Sequence, residues 1–460
     1  MTHRIRRQIL DLELPREAGA VALQRQAGRV FQEKVLPRLD ELFSKIAPAD
    51  RIVRIDRLEI DLGSLGESNW ERNFVERCVE QISRQVTEAA SKADANLDEN
   101  ARVLNPEENA LAVFRYFLET GVLPWYARGM ALKTLEVHTL QATAERPAAI
   151  QQALLSALQR SDSALRRLLW QFSPDFSEKM LEVSLGLSHG WLTQAVQLLQ
   201  SRLGRRLDTA QRLQLYKTLL AEALNDGFRQ PPQPELLTQL YYRVLTQTTP
   251  ANEPTGRRQP GTETGVPDTQ PKPADAPEQT PAQEKRDKTS FPPEGIMVDN
   301  AGVILLGVYL PAFFQELKLT DGKVFPTPDD QYRAIHLLHY LATGLEHPEE
   351  PALALPKLLC GLPLEEPVPL ELALSEAEKN ESNDLLKAVI QNWPALKSTS
   401  PDGLRSGFLQ RMGHLSRAES QSAWLLRPER LGQDMLLERL PWSISVIKLP
   451  WMDEAVQVEW

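Results

Sequence analysis

Apolar residues recur along the chain first with a period of two and then with a period near 3.6. In residues 8–14, positions 10, 12 and 14 are apolar while 11 and 13 are acidic, which predicts a half-exposed strand ended by Pro15. From Glu17 to about Ile46 the spacing turns helical through Val21, Ala27, Val30, Phe31, Val35, Leu39, Leu42 and Phe43. Pro37 is placed to kink or split that helix. A second alternating run over 57–62 closes at Gly63, and Ser68 is a candidate cap for a helix reaching roughly Ala93. Residues 1–100 therefore predict a β-α-β-α unit.

Residues 101–246 predict only helices. Apolar-periodic stretches cover 107–120, 131–140, 148–159, 163–172, 176–187, 191–203, 209–225 and 234–246. Gly121, Pro147, Pro174, Gly190, Gly204 and the Pro231-Pro232 pair separate them. Short helices joined by short turns predict stacked antiparallel hairpins, an irregular bundle or α-solenoid without a fixed period.

The pattern then stops. Between Thr246 and Ser290 the only large apolar side chain is Val266, among many prolines, threonines and glutamines. Such a stretch buries too little surface to offset its ordering entropy, so 247–293 predicts a disordered, Pro-rich, semi-extended linker. Residues 294–460 predict a mainly helical domain, with helices near 302–317, 329–343, 353–360, 370–391 and 401–411. Short strands are expected over 444–449 and 456–460. The fold class is mainly α with small β elements.

Two short patterns recur. Ala110, Phe114 and residues 117–121 resemble Arg333, Leu337 and residues 340–344, each an amphipathic helix ending in a glycine suited to a left-handed cap. Leu-Pro-Trp occurs at 123–125, 440–442 and 449–451. Proline fixes the backbone there while the indole buries a large area and keeps one donor. Core packing at turns and exposed partner anchoring both fit.

Composition narrows the function classes. At 460 residues with 42% hydrophobic and 25% charged side chains, the chain has enough apolar surface for folded domains. A formal charge of -10 disfavours broad nucleic-acid binding, which needs clustered cations. Cys78 and Cys360 are too few for a disulfide framework. No apolar run approaches the roughly 20 residues that span a bilayer, and no apolar signal core follows the basic start. The expectation is a soluble protein made in the cytoplasm without stable membrane insertion.

The motifs of catalysis are missing from the sequence: no Gly-rich phosphate loop, no Gly-x-Ser-x-Gly elbow, no paired Cys-x-x-Cys and no His-Glu-x-x-His. His336 and His339, three apart with His347 nearby, are the nearest approach to a metal site. They read more simply as polar-face histidines without a third ligand. No catalytic residue, cofactor or metal is expected.

Several ordered segments carry a family resemblance. They are Val35-Leu36-Pro37-Arg38-Leu39-Asp40-Glu41-Leu42-Phe43, Arg54-Ile55-Asp56-Arg57-Leu58-Glu59-Ile60-Asp61-Leu62-Gly63 and Phe117-Leu118-Glu119-Thr120-Gly121-Val122-Leu123-Pro124-Trp125. Beyond the linker come Leu310-Pro311-Ala312-Phe313-Phe314, the 339–344 and 357–363 segments, Trp393-Pro394-Ala395-Leu396, Phe408-Leu409-Gln410-Arg411 and Trp424-Leu425-Leu426. Leu440-Pro441-Trp442-Ser443 and Leu449-Pro450-Trp451-Met452 close the series. Their succession resembles the contractile injection system tape measure family of phage-tail-like extracellular particles. One departure is Gly307-Val308-Tyr309, where a His-Pro-Phe-like stretch is expected.

The resemblance implies a non-enzymatic structural protein that sets tube and sheath length, with tube, baseplate or sheath proteins as partners. It would be cytoplasmic during assembly and then inside a released particle; the alternative is a helical adaptor or chaperone for tube, baseplate or cargo assembly. Candidate packing or partner-contact residues are Arg57, Leu123, Pro124, Trp125, Trp393, Pro394, Leu440, Pro441, Trp442, Leu449, Pro450 and Trp451.

Overall fold

A computed structural model describes residues 3–13, 20–48, 51–66, 69–94, 100–226, 232–248, 291–292, 295–396, 398–418 and 423–460. It divides into two units, Met1–Ser184 with Glu294–Trp460, and Leu185–Pro293. Nearly all of the expected linker, including the whole of 251–290, lies outside the described residues, as does Ser68.

The first unit begins with helix α1 (Ala20–Val30), a π turn (Phe31–Val35) and α2 (Leu36–Ile46). The π turn answers Pro37: Leu36 N–H reaches back to Phe31 O, so the ladder widens immediately before the residue that has no N–H to give. Strand β1 (Ile52–Ile55) follows, then α3 (Trp70–Asp94), β2 (Ala101–Leu104) and α4 (Pro106–Thr120). Val30, Phe31, Val35, Leu39, Phe74, Val75, Cys78 and Ile82 form a core between the helices.

The expected strand positions need correcting. Neither 8–13 nor 57–62 is in a strand; the small antiparallel sheet pairs Ile52 with Leu104 and Ile55 with Ala101 instead. The alternation has another cause. Leu10, Ile60 and Leu62 lie down on the helical core while Asp11, Glu59 and Asp61 stay exposed, so both segments are half-buried without a ladder.

Helices α5 (Leu132–Glu145), α6 (Pro147–Arg160), α7 (Asp162–Gln171) and α8 (Pro174–Leu185) continue the chain, and α4 packs on α5, α6 and α7. Phe114, Phe117, Phe172 and Phe176 meet there with ring centroids 5.0–5.6 Å apart. In the second unit α9 (Trp191–Leu203) and α10 (Thr209–Asp226) both pack on α11 (Glu235–Thr248). Trp191 Nε1 donates to Pro232 O at 2.5 Å, tying the segment before α11 to the start of α9.

The first unit resumes with β3 (Ile296–Val298), a buried 3-10 turn (Ala301–Leu306), α12 (Leu310–Glu316), α13 (Pro328–Thr343), α14 (Ala354–Leu359), α15 (Glu376–Asn392) and α16 (Pro401–Leu404). A π turn (Arg405–Leu409) leads to β4 (Gly413–Arg417) and β5 (Ala423–Pro428), and the chain ends with β6 (Val446–Ile447) and β7 (Ala455–Val458). The sheet order is β3-β4-β5-β7-β6, parallel only between β5 and β7. A parallel pair needs a crossover, and residues 429–454 supply it, carrying two of the three Leu-Pro-Trp motifs.

Candidate functional site

The weak internal repeat is a detailed structural one. α4 starts with a capping box between Asn105 and Glu108, α13 with one between Thr327 and Asp330, and each has proline in its first turn. Each ends at a left-handed glycine, Gly121 at φ 75° and Gly344 at φ 76°. Each last turn also receives a guanidinium at the same position. Arg167 donates to Leu118 O and lies 5.9 Å from the Phe117 ring centre; Arg405 donates to Leu341 O at 3.2 Å and lies 5.6 Å from the Tyr340 ring centre. Both arginines supply donors to carbonyls that the helix end leaves without intrahelical partners.

Arg167 does more than cap. It is fully buried, and its Nε donates to Glu350 Oε2 at 3.0 Å while Nη2 donates to Glu365 O. Lys357 Nζ, also buried, donates to Glu350 Oε1 and to Leu364 O at 3.2 Å. Gln171 Nε2 donates to Val368 O at 2.6 Å, and Glu350 N donates to Gln171 Oε1 at 3.3 Å. Burial and the neighbouring Arg167 cation pull the Lys357 ammonium below the usual lysine range, against the pull of Glu350. Gly121 is needed here twice over, because a Cβ would come within 2.7 Å of Glu350 Oε1. At the rim Arg166 pairs with Glu366 at 2.6 Å, Arg128 pairs with Asp299, and Leu132 N donates to Glu349. This charged seam joins segments that the sequence separates by the Pro-rich stretch.

A second buried cation closes the C-terminal end. Arg411 Nη1 donates to both oxygens of Asp434 at 2.9 and 3.0 Å and to Glu429 O at 2.9 Å. Trp460 Nε1 donates to the same carboxylate at 3.0 Å, and Arg411 lies 5.4 Å from its ring centre. Sequence reasoning missed Arg167, Glu350, Lys357, Arg411 and Asp434. One signal is there in retrospect: Arg167 and Gln171 fall on the helical phase of Ala164 and Leu168, where a core residue belongs.

The motif residues fall into two groups. Trp393 is wholly buried, donates to Leu436 O at 3.2 Å and packs at a tilt against Phe408 with centroids 4.9 Å apart. Trp442 is partly buried, donates to Leu305 O at 3.0 Å and meets Tyr309 edge-on at 5.2 Å. Trp451 is partly buried, donates to Leu359 O at 2.8 Å and packs on Phe325 at 5.0 Å. Leu449 and Pro124 are buried, and Leu123, Trp125 and Leu440 partly so. Pro394, Pro441 and Pro450 are exposed, as is Arg57, which pairs with Glu59 on the surface. The structure brings Trp393 and Trp442 together, with centroids 6.3 Å apart, and leaves Arg57 and Trp125 outside that group.

The polar-face reading of His336 and His339 is corrected: both are buried, because α14, α15 and the flanking turns cover α13. His336 Nε2 bonds Pro369 O at 2.8 Å, and neither Nδ1 has a hydrogen-bond partner among the described residues. Among those residues no group of three or more His, Cys, Asp or Glu is placed to hold a metal ion. Burial pushes the Cys78 thiol up to about 11 and the Cys360 thiol well above its usual value, making both poor nucleophiles.

Burial also sets a pH response. The His339 pKa falls to about 4 from an ordinary 6.5, so the unfolded state binds the extra proton between those values and stability drops as pH falls through that window. His339→Leu removes the group. At pH 7 the variant should match the parent, since an apolar side chain replaces a buried ring with an unpartnered nitrogen. At pH 5 it should be the more stable of the two by about 2 kcal/mol, the linkage value for a shift of that size. Urea titrations at the two pH values check this; equal losses of stability in parent and variant would contradict it.

No helix among the described residues is long and apolar enough to cross a membrane. No curated protein and no solved structure matches the chain. A family model does match, over residues 2–460 and thus across both units: the chain belongs to the contractile injection system tape measure protein family.

Proposed function

We propose that this structural protein sets the length of the tube and sheath during particle assembly, with tube, baseplate or sheath proteins as its partners and without catalytic chemistry. The observation that carries this reading is the end-to-end family match. Assembly takes place in the cytoplasm, and the chain is retained in the released particle. One structural fact favours the alternative, an adaptor or chaperone for tube, baseplate or cargo assembly. The longest helix among the described residues, α3 with 25 residues, spans only about 37 Å at roughly 1.5 Å per residue. A rod-like ruler is therefore not preformed in the described residues.

Insertions separate the two. About 40 Pro/Thr/Gln-rich residues placed after Gln270 would lengthen particles by up to about 120 Å, at roughly 3.1 Å per residue, if that stretch runs along the tube. Duplicating residues 148–203 would add about 84 Å, at roughly 1.5 Å per residue, if helices measure. Electron micrographs showing a shifted, narrow length distribution for either insertion support the ruler. Unchanged lengths after both, with assembly intact, leave the adaptor reading.

A further inference from the structure

The seam of the first unit is built unlike the two parts that it joins. Among the described residues, no helix or strand of residues 1–184 packs broadly on one of residues 294–460, and no main-chain to main-chain hydrogen bond runs between them. Each part has a core of its own. The first holds the α1–α3 cluster and the helices around α4; the second holds α13–α15 and the five-stranded sheet. What crosses is largely one stripe of side chains. Ser163, Arg166, Arg167, Trp170 and Gln171 share a face of α7 at helical spacing, beside the buried apolar Ala164, Leu165 and Leu168. Ser163 and Arg166 bond Glu366, Arg167 bonds Glu350 and Glu365 O, and Gln171 bonds Val368 O, while Trp170 meets Tyr332 edge-on at 6.3 Å.

The crossing charges are sorted. Among the described residues three ion pairs span the seam, Arg128–Asp299, Arg166–Glu366 and Arg167–Glu350, and in each the cation lies on 1–184 and the anion on 294–460. Lys357 breaks the sorting only by sitting beside Glu350 on the same part. We propose that the seam is a latch, held by this sorted charge, that opens between two parts which both stay folded. Taking charges out of water offsets most of their attraction, so a seam of this kind holds less firmly than an apolar core. Relative motion is the default for folded parts joined by a polar interface. Opening also strands no charge in a dry interior. Glu350 keeps Lys357 and Arg167 keeps Leu118 O, while Gln171 and the Glu365 and Val368 carbonyls pass to water. The open form shows a basic face on one part and an acidic face on the other, with the parts still joined through the chain. The latch is independent of whether the chain measures length, and its test reads no particle.

The test is single-molecule energy transfer on the full chain. Lys133→Cys and Glu371→Cys put dyes at exposed positions on either side of the seam, since Glu371 lines the same surface groove as Glu349, which accepts from Leu132 N. Cys78 and Cys360 are buried and leave the dyes to the introduced thiols. A main high-transfer population and a minor low-transfer one are expected. Raising salt from about 0.05 M to about 0.5 M should enlarge the minor one about threefold, because the Arg128 and Arg166 pairs are partly exposed. Arg166→Glu sets like charges against each other at Glu366 and should enlarge it at least about tenfold; adding Glu366→Arg should reverse most of that gain. Circular dichroism should hold the parent value throughout, because neither part loses its core. A single high-transfer population in every variant overturns the proposal, since the seam then opens only with global unfolding. So does low transfer that arrives together with lost ellipticity, or a charge swap that restores nothing, which would make packing rather than charge the closure.

Discussion

Glu350→Gln should destabilise the first unit by about 3–5 kcal/mol, the usual cost of leaving a buried charge without its partner. The reasoning is a charge count. Two cations, Arg167 and Lys357, share the Glu350 carboxylate, and all three side chains are essentially inaccessible. Neutralising Glu350 leaves two like charges facing each other in a medium where such pairs repel strongly. Arg167→Met removes one cation but also strips donors from Leu118 O and Glu365 O, so it should cost nearly as much. Lys357→Met is the mild change, about 1–2 kcal/mol, because the Arg167–Glu350 pair stays matched and methionine fills much of the lysine volume. Guanidinium unfolding of the three variants gives the order directly; Lys357→Met as the worst of them would contradict the charge count. A second readout tests the seam itself. With an engineered protease site after Gln270, the cut parent should run as one species in gel filtration, since residues 1–184 and 294–460 form one unit. The cut Glu350→Gln variant should separate into two fragments.

That seam is where the sequence is least informative. The helices over 106–248 are legible because each carries its own apolar stripe, and several, α4 and α9 among them, end at a glycine that acts locally. The caps at Gly121 and Gly344 are legible for the same reason, and so is the likeness of the helices they close. Pairings are not local. Arg167 and Glu350 are 183 residues apart, and nothing in either neighbourhood names the other. The strand errors have a related cause. Period-two alternation reports one buried face, which Leu10 and Ile60 do have, but it says nothing about a hydrogen-bonded neighbour. Conversely β5, with Ala423, Trp424, Leu425 and Leu426 all buried, shows no alternation and gives no period-two signal. The histidines of α13 were open to misreading because helices covered on all sides lack a polar face to define the stripe.

Trp393→Ala should be the most damaging of the indole changes, at about 3–5 kcal/mol, the range for truncating a buried aromatic. Its ring is fully inaccessible, it closes on Phe408, and its N–H is the donor that holds Leu436 of the crossover. Trp393→Phe keeps most of the packing and loses that donor, so it should cost less, about 1–3 kcal/mol, chiefly from the unpaired carbonyl. Trp442 and Trp451 are only partly buried, although each indole spans from the crossover to a carbonyl of an earlier helix or turn. Their alanine variants should therefore destabilise less than Trp393→Ala. This ranking discriminates the two roles open to the Leu-Pro-Trp motifs. If the motifs act by packing, loss of particle assembly should follow loss of stability in the order 393, then 451 and 442. If Trp442 or Trp451 anchors a partner, its alanine variant should leave the melting temperature nearly unchanged while assembled particles fall sharply, as for an interface hot spot. Differential scanning calorimetry on the purified chain, set beside particle counts from the same variants, reads both quantities. The indole–carbonyl bonds favour packing, because the single donor that a partner would use is already taken inside the fold.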